Sequence, residues 1–284
     1  MERPGLQADK RFVREQYHAF NKRYPDLDAP KDLSEKICRR KISDQPDLIV
    51  QCTDKLAVRD HVSAMAGPDV VVPLYFRTTR VDDITPENIP QCQFALKTNH
   101  DQAGVLLCAD SQKFDWQGAR QKMSDHLMRN YYDPYREMQY RDIQPTIFAE
   151  ALLIPDGDQD VIPDYKFFCF HGKPELIQVD MSRFSDHVRA FVTPDWSPMD
   201  VQYDDPVGVA PAARPDCLDQ MLELAKKLSA PFSFVRVDLY QSGGKIYFGE
   251  LTFTPGAGTK RFLPDSFERH LGDLWNIDFE QSIL

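Results

Sequence analysis

The stretch that most restricts this chain lies near its C-terminus. There Phe234-Val-Arg-Val-Asp-Leu-Tyr240 is followed by Gln-Ser-Gly-Gly and then by Lys245-Ile-Tyr-Phe-Gly-Glu-Leu-Thr252. Two runs of alternating polar and apolar residues about a tight Ser-Gly-Gly turn predict an antiparallel hairpin. Alternation puts Arg236, Asp238 and Tyr240 on one face and Val235, Val237 and Leu239 on the other. Glu250 and Thr252 share a face of the return strand, so pairing about the turn brings Asp238 near Glu250, with Arg236 beside them. Two adjacent carboxylates repel unless a cation lies between them. Hard oxygen ligands of this kind suit magnesium, which adds waters and substrate phosphates to one or two protein carboxylates. The solvated face of an edge hairpin has the same pattern, so the hairpin alone leaves both readings open.

A chain of 284 residues can bury a large core, in one elaborate domain or two lobes. Its formal net charge of −10 argues against a nucleic-acid groove, which needs a basic footprint, but leaves room for a local phosphate pocket. Cys38, Cys52, Cys92, Cys108, Cys169 and Cys217 show no C-x-x-C spacing, so neither a zinc site nor a disulfide framework is signalled. No apolar run approaches the roughly 18 residues of a membrane span, and the start has no signal-peptide pattern. A cytoplasmic protein without a transmembrane segment is expected.

Residues 1–50 read as a polar helical lead-in that packs on a lobe. A second helix is expected from Thr53 or Asp54 to a stop at Gly67. Val70 to Phe76 reads as a buried strand interrupted by Pro73. Phe94-Ala-Leu-Lys97 predicts a short strand ending in a lysine. The polar turn Asn99-His-Asp-Gln-Ala-Gly104 follows, and then a strand from Val105 to Cys108. A strand, lysine, loop and strand in that order suit phosphate binding, with the lysine as a point charge and loop N–H groups closing over the anion. A loop with one glycine is a weak cradle, and a surface hairpin reads the same way. Trp116 to Tyr131 reads as an amphipathic helix, and Pro145 to Ile154 as an apolar strand in which Glu150 needs a partner.

The run Asp156-x-Asp158-x-Asp160 opens like a calcium loop but has Phe167 at its twelfth position and no glycine at its sixth. It reads as an acidic turn or as the D-x-D metal site of a glycosyltransferase. Asp164 to Phe170 is a strand in which Lys166 either snorkels or meets an anion. Arg183, His187 and Arg189 gather in one loop, a charged surface or a receptor for phosphate or carboxylate. Residues 191–215 look irregular, Asp216 to Leu228 helical, and the tail after Gly258 is expected to pack back on the fold.

The phrases DKLAVRDHV, KTNHDQAG, DYKFFCFHGKPELIQVD, FVRVDLY and KIYFGELTFTPGAG together resemble the TupA-like ATP-grasp family of surface-polysaccharide (teichuronopeptide) biosynthesis, over roughly residues 30–275. The resemblance implies an α+β ATP-grasp fold, two lobes clasping ATP after a helical lead-in. The division it implies is 1–50 for the lead-in, 51–145 for the N-lobe and 146–284 for the C-lobe. It also implies an ADP-forming carboxylate–amine ligase that works through an acyl phosphate with ATP and Mg2+. The implied reaction joins an amino acid to a uronic-acid carboxyl of a capsular or other glycan, in association with membrane-bound polysaccharide machinery. A small amino-acid or peptide ligase and a metal-dependent glycosyltransferase remain alternatives.

Carried over by position, Lys97 and Lys166 contact phosphates and the loop from Asn99 to Gly104 closes over them. Glu150, Ala151 and Leu152 line the adenine and ribose pocket. Asp238, Glu250 and Thr252 hold magnesium, with Thr252 standing where asparagine is common. Arg236, Arg189 and Arg183 stabilise the phosphoryl group or orient the acceptor. The family loop is richer in glycine than this one, and Asp101 falls where phosphates are expected.

Overall fold

The fold is given by a computed structural model that describes residues 5–157, 161–181, 188–203 and 213–277. The helices are α1 (Leu6–Asn21), α2 (Leu33–Ile42), α3 (Asp47–Thr53), α4 (Val58–Ala66), α5 (Trp116–Leu127), α6 (Tyr132–Tyr135), α7 (Leu218–Ser229) and α8 (Asp265–Leu274). The strands are β1 (Leu74–Thr78), β2 (Phe94–Thr98), β3 (Val105–Cys108), β4 (Ile147–Ala151), β5 (Asp164–Phe170) and β6 (Lys173–Met181). They continue with β7 (Val188–Val192), β8 (Gln202–Tyr203), β9 (Phe234–Ser242), β10 (Lys245–Thr252) and β11 (Phe262–Leu263).

Two antiparallel sheets carry the molecule. A four-stranded sheet has the order β1-β4-β2-β3, and a five-stranded sheet the order β10-β9-β5-β6-β7. Strand β4 pairs with both β1 and β2, so a lobe boundary after residue 145 would cut the first sheet. The sheet itself ends at Ala151.

Alternation sorts each sheet into two faces. In the four-stranded sheet Phe94, Leu96, Cys108, Ile147 and Ala149 pack with Ala119 and Met123 of α5. Lys97 and Glu150 therefore fall on the opposite face. In the five-stranded sheet Tyr165, Phe167, Val179, Val235, Val237, Leu239 and Leu251 pack against α3, α4 and α7. The other face is divided along its length. Phe168, Phe170, Phe191 and Phe234 are covered by α2 and α8, while Asp164, Lys166, Asp180, Asp238 and Arg236 occupy the remaining end.

The lead-in is more than a decoration. Arg40 of α2 is buried, donates to the Phe234 and Phe253 carbonyls at 2.7 and 3.2 Å, and stacks 4.3 Å from the Trp275 ring. Lys41 Nζ donates to the Ala257 carbonyl at 2.7 Å. The N-terminal helices thus tie down the segment that follows the β9–β10 hairpin.

Three local expectations change. The helix expected from Thr53 to Gly67 begins only at Val58, because Thr53 ends the preceding helix α3 and the Asp54 carboxylate accepts from the Leu56 and Ala57 amides and turns the chain between α3 and α4. The strand expected to be buried over Val70–Phe76 is the edge strand β1, where Leu74 and Tyr75 are exposed. Residues 191–215 include the strand residues Phe191–Val192 and Gln202–Tyr203. Among the described residues no helix is long and apolar enough to cross a membrane.

Candidate active site

The site begins at the β9–β10 hairpin. Gly243 and Gly244, both at positive φ, make the two-residue turn between Ser242 and Lys245. The Asp156 carboxylate accepts from the Gly243 and Gly244 amides and from Gln241. Simple pairing about this turn would set Asp238 opposite Gly249 and turn Glu250 toward the core. A bulge between Phe248 and Glu250 shifts the register, so that Glu250 pairs with Asp238 and Thr252 with Arg236. Gly249 is required there, since a Cβ would stand 2.6 Å from Tyr240 Cε2 and 3.1 Å from the Asp238 carbonyl.

Arg236 binds both carboxylates. Its Nε and one terminal nitrogen meet Asp238 at 2.7 and 2.6 Å, and the same nitrogen meets Glu250 Oε1 and Thr252 Oγ1 at 3.0 Å each. Thr252 also donates to Glu250 Oε1 at 2.8 Å. Burial pushes the Asp238 carboxyl up to about 6 against the pull of Arg236 and Lys166. For Glu250 burial is outweighed by Arg236, Lys55 and Lys166, which hold it well below the usual carboxylate range.

Lys166 lies in a nest of acids. Its ammonium bonds Asp164, reaches Asp238 Oδ2 at 3.3 Å and stands 3.7 Å from Asp180. Burial disfavours its charge, yet Asp238 and Asp164 prevail and raise its pKa. Arg189 completes this end, with Nε 2.7 Å from Asp180 Oδ1. Arg183 and His187 lie outside the described residues.

On the facing sheet Glu150 holds two cations, Lys97 at 2.5 Å and Arg59 of α4 at 3.1 Å. Arg59 also donates to the Val72 carbonyl. The Ala151 amide is taken by the Pro73 carbonyl at 2.9 Å, and Leu152 is half-buried just beyond the strand.

The turn 99–104 is fastened by its own side chains. Asn99 Nδ2 donates to Asp54 at 2.9 Å and to the Gln144 carbonyl at 3.2 Å, while its Oδ1 accepts from the Thr146 amide at 2.7 Å. Asp101 points under the turn, and Gly104 is buried with its amide 2.9 Å from Asp101 Oδ1. Asp101 therefore does not confront a phosphate.

Lys55 is a cation of this site that sequence reasoning passed over. It stands in the connection between α3 and α4 and donates to the Asp101 carbonyl. Burial lowers its pKa, and its charged neighbours are Glu250, Asp101, Lys97 and Asp54. It is a cation that interacts with charges of both sheets. The signal was present, because Asp54-Lys55 opens one of the family-like phrases.

Hard oxygens at Glu250 and Asp238 suit magnesium. Glu250 Oε2 lies outside the bonds to Arg236 and Thr252, which use Oε1. Both Asp238 oxygens are engaged by Arg236, so Glu250 is the better-prepared ligand. Among the described residues no group of three or more His, Cys, Asp or Glu side chains is arranged to hold a metal. Two such carboxylates suit an ion whose remaining ligands are phosphate oxygens and water.

A model of the TupA-like ATP-grasp family matches residues 35–276. The chain belongs to that family. Its α+β architecture, with the two sheets set out above, is the ATP-grasp fold. Among curated proteins none matches the sequence. A D-alanine–D-alanine ligase from Bacillus anthracis superposes with a TM-score of 0.47 at 16% identity, over 82% of this chain and 67% of that one. The ATP-grasp ligase PsnB, complexed with a minimal precursor, gives 0.40 at 8% identity over 73% and 53%. A D-alanine–D-alanine ligase from Helicobacter pylori gives 0.42 at 11% identity over 82% and 59%. This ATP-grasp chain spans about half the length of PsnB, and its family assignment stands on the sequence match.

Proposed function

We propose that this ATP-grasp protein is an ADP-forming carboxylate–amine ligase whose acceptor is a uronic-acid carboxyl of a surface glycan and whose amine is an amino acid. The observation that carries the reading is the placement of Lys55 between Lys97–Glu150 of one sheet and Arg236–Asp238–Glu250 of the other. An acyl-phosphate ligase needs positive charge along a triphosphate and acidic oxygens for its metal, facing each other across a cleft. The glycan assignment rests on the family.

In this reading an acceptor carboxylate oxygen attacks the γ-phosphorus, and the bond to the β-phosphate bridging oxygen breaks to release ADP. The neutral amine then attacks the acyl carbon, phosphate leaves, and the amine proton passes to solvent. Lys97 and Lys55 bind phosphate oxygens. Arg236, already fixed by Asp238, meets the negative charge that develops on the transferring group or on the tetrahedral carbon. Glu250 and Asp238 would hold magnesium, which neutralises phosphate charge when bound. Lys166 serves the site indirectly, by holding Asp238 ionised and in place.

The glycosyltransferase alternative is weakened because Asp156 is engaged by the Gly243 and Gly244 amides; Asp158 lies outside the described residues. The test is ATP turnover with magnesium against uronic acids paired with amino acids. Acceptor-dependent ADP and phosphate are expected, falling roughly 100-fold or more in Glu250→Gln. Release of AMP, or full activity in that variant, would overturn the proposal.

A further inference from the structure

The turn 99–104 carries a device that a glycine-rich loop lacks. Asp101 is 3% exposed, and its Oδ1 accepts from Thr98 Oγ1 at 2.6 Å and from the Gly104 amide at 2.9 Å. Its Oδ2 is bonded to Nδ1 of His126, which is itself buried in the last turn of α5. His100 Nε2 lies 3.1 and 3.2 Å from the carbonyls of His126 and Arg129 and donates to them. The His126 carbonyl lies in the last turn of α5 and the Arg129 carbonyl two residues beyond the helix. Two consecutive loop residues are thus fastened to one helix terminus. Only Gln102 and Ala103 remain exposed at the tip. Gly104 is confined as well, because a Cβ there would lie 2.8 Å from Asp101 Oδ1 and closer still to Thr98 Oγ1.

We infer that Asp101 and His126 are positioning residues that hold the phosphate-side loop in its nucleotide-binding shape before nucleotide arrives. The inference rests on the ligase reading for the identity of the ligand. A flexible loop must be ordered on binding, and the apparent dissociation constant is the intrinsic one divided by the fraction of molecules already competent. An aspartate turned inward replaces that flexibility with a fixed turn. It also fixes Lys55, whose ammonium is bonded to the Asp101 carbonyl. The loop is therefore a pre-formed wall, and its glycine-poor sequence follows from that.

The experiment compares the parent with His126→Ala, His126→Asn and Thr98→Val. Asparagine can still donate an N–H toward Asp101, and valine removes one hydroxyl with little change of shape. In the nucleotide-free parent the Gly104 amide should exchange slowly with deuterium. In His126→Ala it should exchange fast, with KM for ATP up about tenfold and kcat within about twofold, as for a loop competent in a tenth of molecules. Thr98→Val should lie between the two, and His126→Asn should recover most of the parent KM. Faster exchange with unchanged KM would overturn the inference, as would a loss confined to kcat or an asparagine variant no better than alanine. A parent that binds no nucleotide in a calorimetric titration would overturn the ligase reading and the inference together. A parent that binds it, with a His126→Ala variant of equal KM, would overturn the anchor alone.

Discussion

Glu137 is a carboxyl 1% exposed, bonded to Thr254 Oγ1, with Gln139 Nε2 donating to the same hydroxyl at 2.6 Å. Burial pushes its pKa up to about 7 from 4.5, against the pull of Thr254 and Lys41. Between those two values the folded state binds more protons than the unfolded one, so stability falls as pH rises through the window. Below it the group is neutral in both states, and above it the penalty is complete, on the order of 3 kcal/mol. Glutamine keeps the shape and never ionises. Urea melts of the parent and Glu137→Gln at pH 5 and pH 8 should show the variant gaining by that amount at the higher pH. Equal differences at both pH values would mean that Glu137 titrates as an ordinary carboxylate. Chain alternation marked Lys166 as polar, but its partners Asp164, Asp180 and Asp238 come from three strands. No reading of one strand could tell a phosphate ligand from a buried ion-pair centre.

At the scale of elements the bulge in β10 decides the chemistry. Phe248 faces the apolar core opposite Leu239, and strict alternation would send Glu250 the same way. One extra residue, Gly249, turns Glu250 and Thr252 to the face of Asp238 and Arg236. Gly249→Ala would push a methyl group into the Tyr240 ring and the Asp238 backbone. The expected result is a stability loss of about 1–3 kcal/mol and a fall in ATP turnover of tenfold or more, beyond what destabilisation alone produces. Thermal melts and turnover below the transition separate the two effects, and a variant with parental turnover would show that the bulge tolerates a side chain. A glycine inside an alternating strand is a sequence sign of a bulge. Its register consequence depends on which side of it the turn pins, and that required both strands.

For the whole molecule, the two sheets meet through α3–α4 and the segment that precedes β1, with Val71 bridged to Phe248 and Lys55 facing both sets of charges. Three cations, Lys55, Lys97 and Arg59, are gathered beside Glu150 and Glu250. A polyanion bound between them should stabilise the fold as a unit. Magnesium ATP at 100 times its dissociation constant contributes about 2.7 kcal/mol, a rise in melting temperature of roughly 5 °C for a chain of this size. Scanning calorimetry with and without the nucleotide checks this, and no shift at millimolar concentration would remove ATP as the ligand.

The residue pattern by itself determined much of this. Alternation and the Gly-Gly turn specified the hairpin, Phe94 to Lys97 formed the expected strand although Thr98 closes it, and long phrases specified the family. Those are local or one-dimensional signals, and a chain carries them whatever its neighbours do. Tertiary structure decided the rest. It made Asp101 an inward anchor by bringing His126 beneath it, gave Lys166 to three carboxylates, brought Lys55 between the sheets and placed β4 in the first sheet. Most of these contacts join residues far apart in sequence in a low-dielectric interior, where a charge is stable only beside the partner that the fold brings to it.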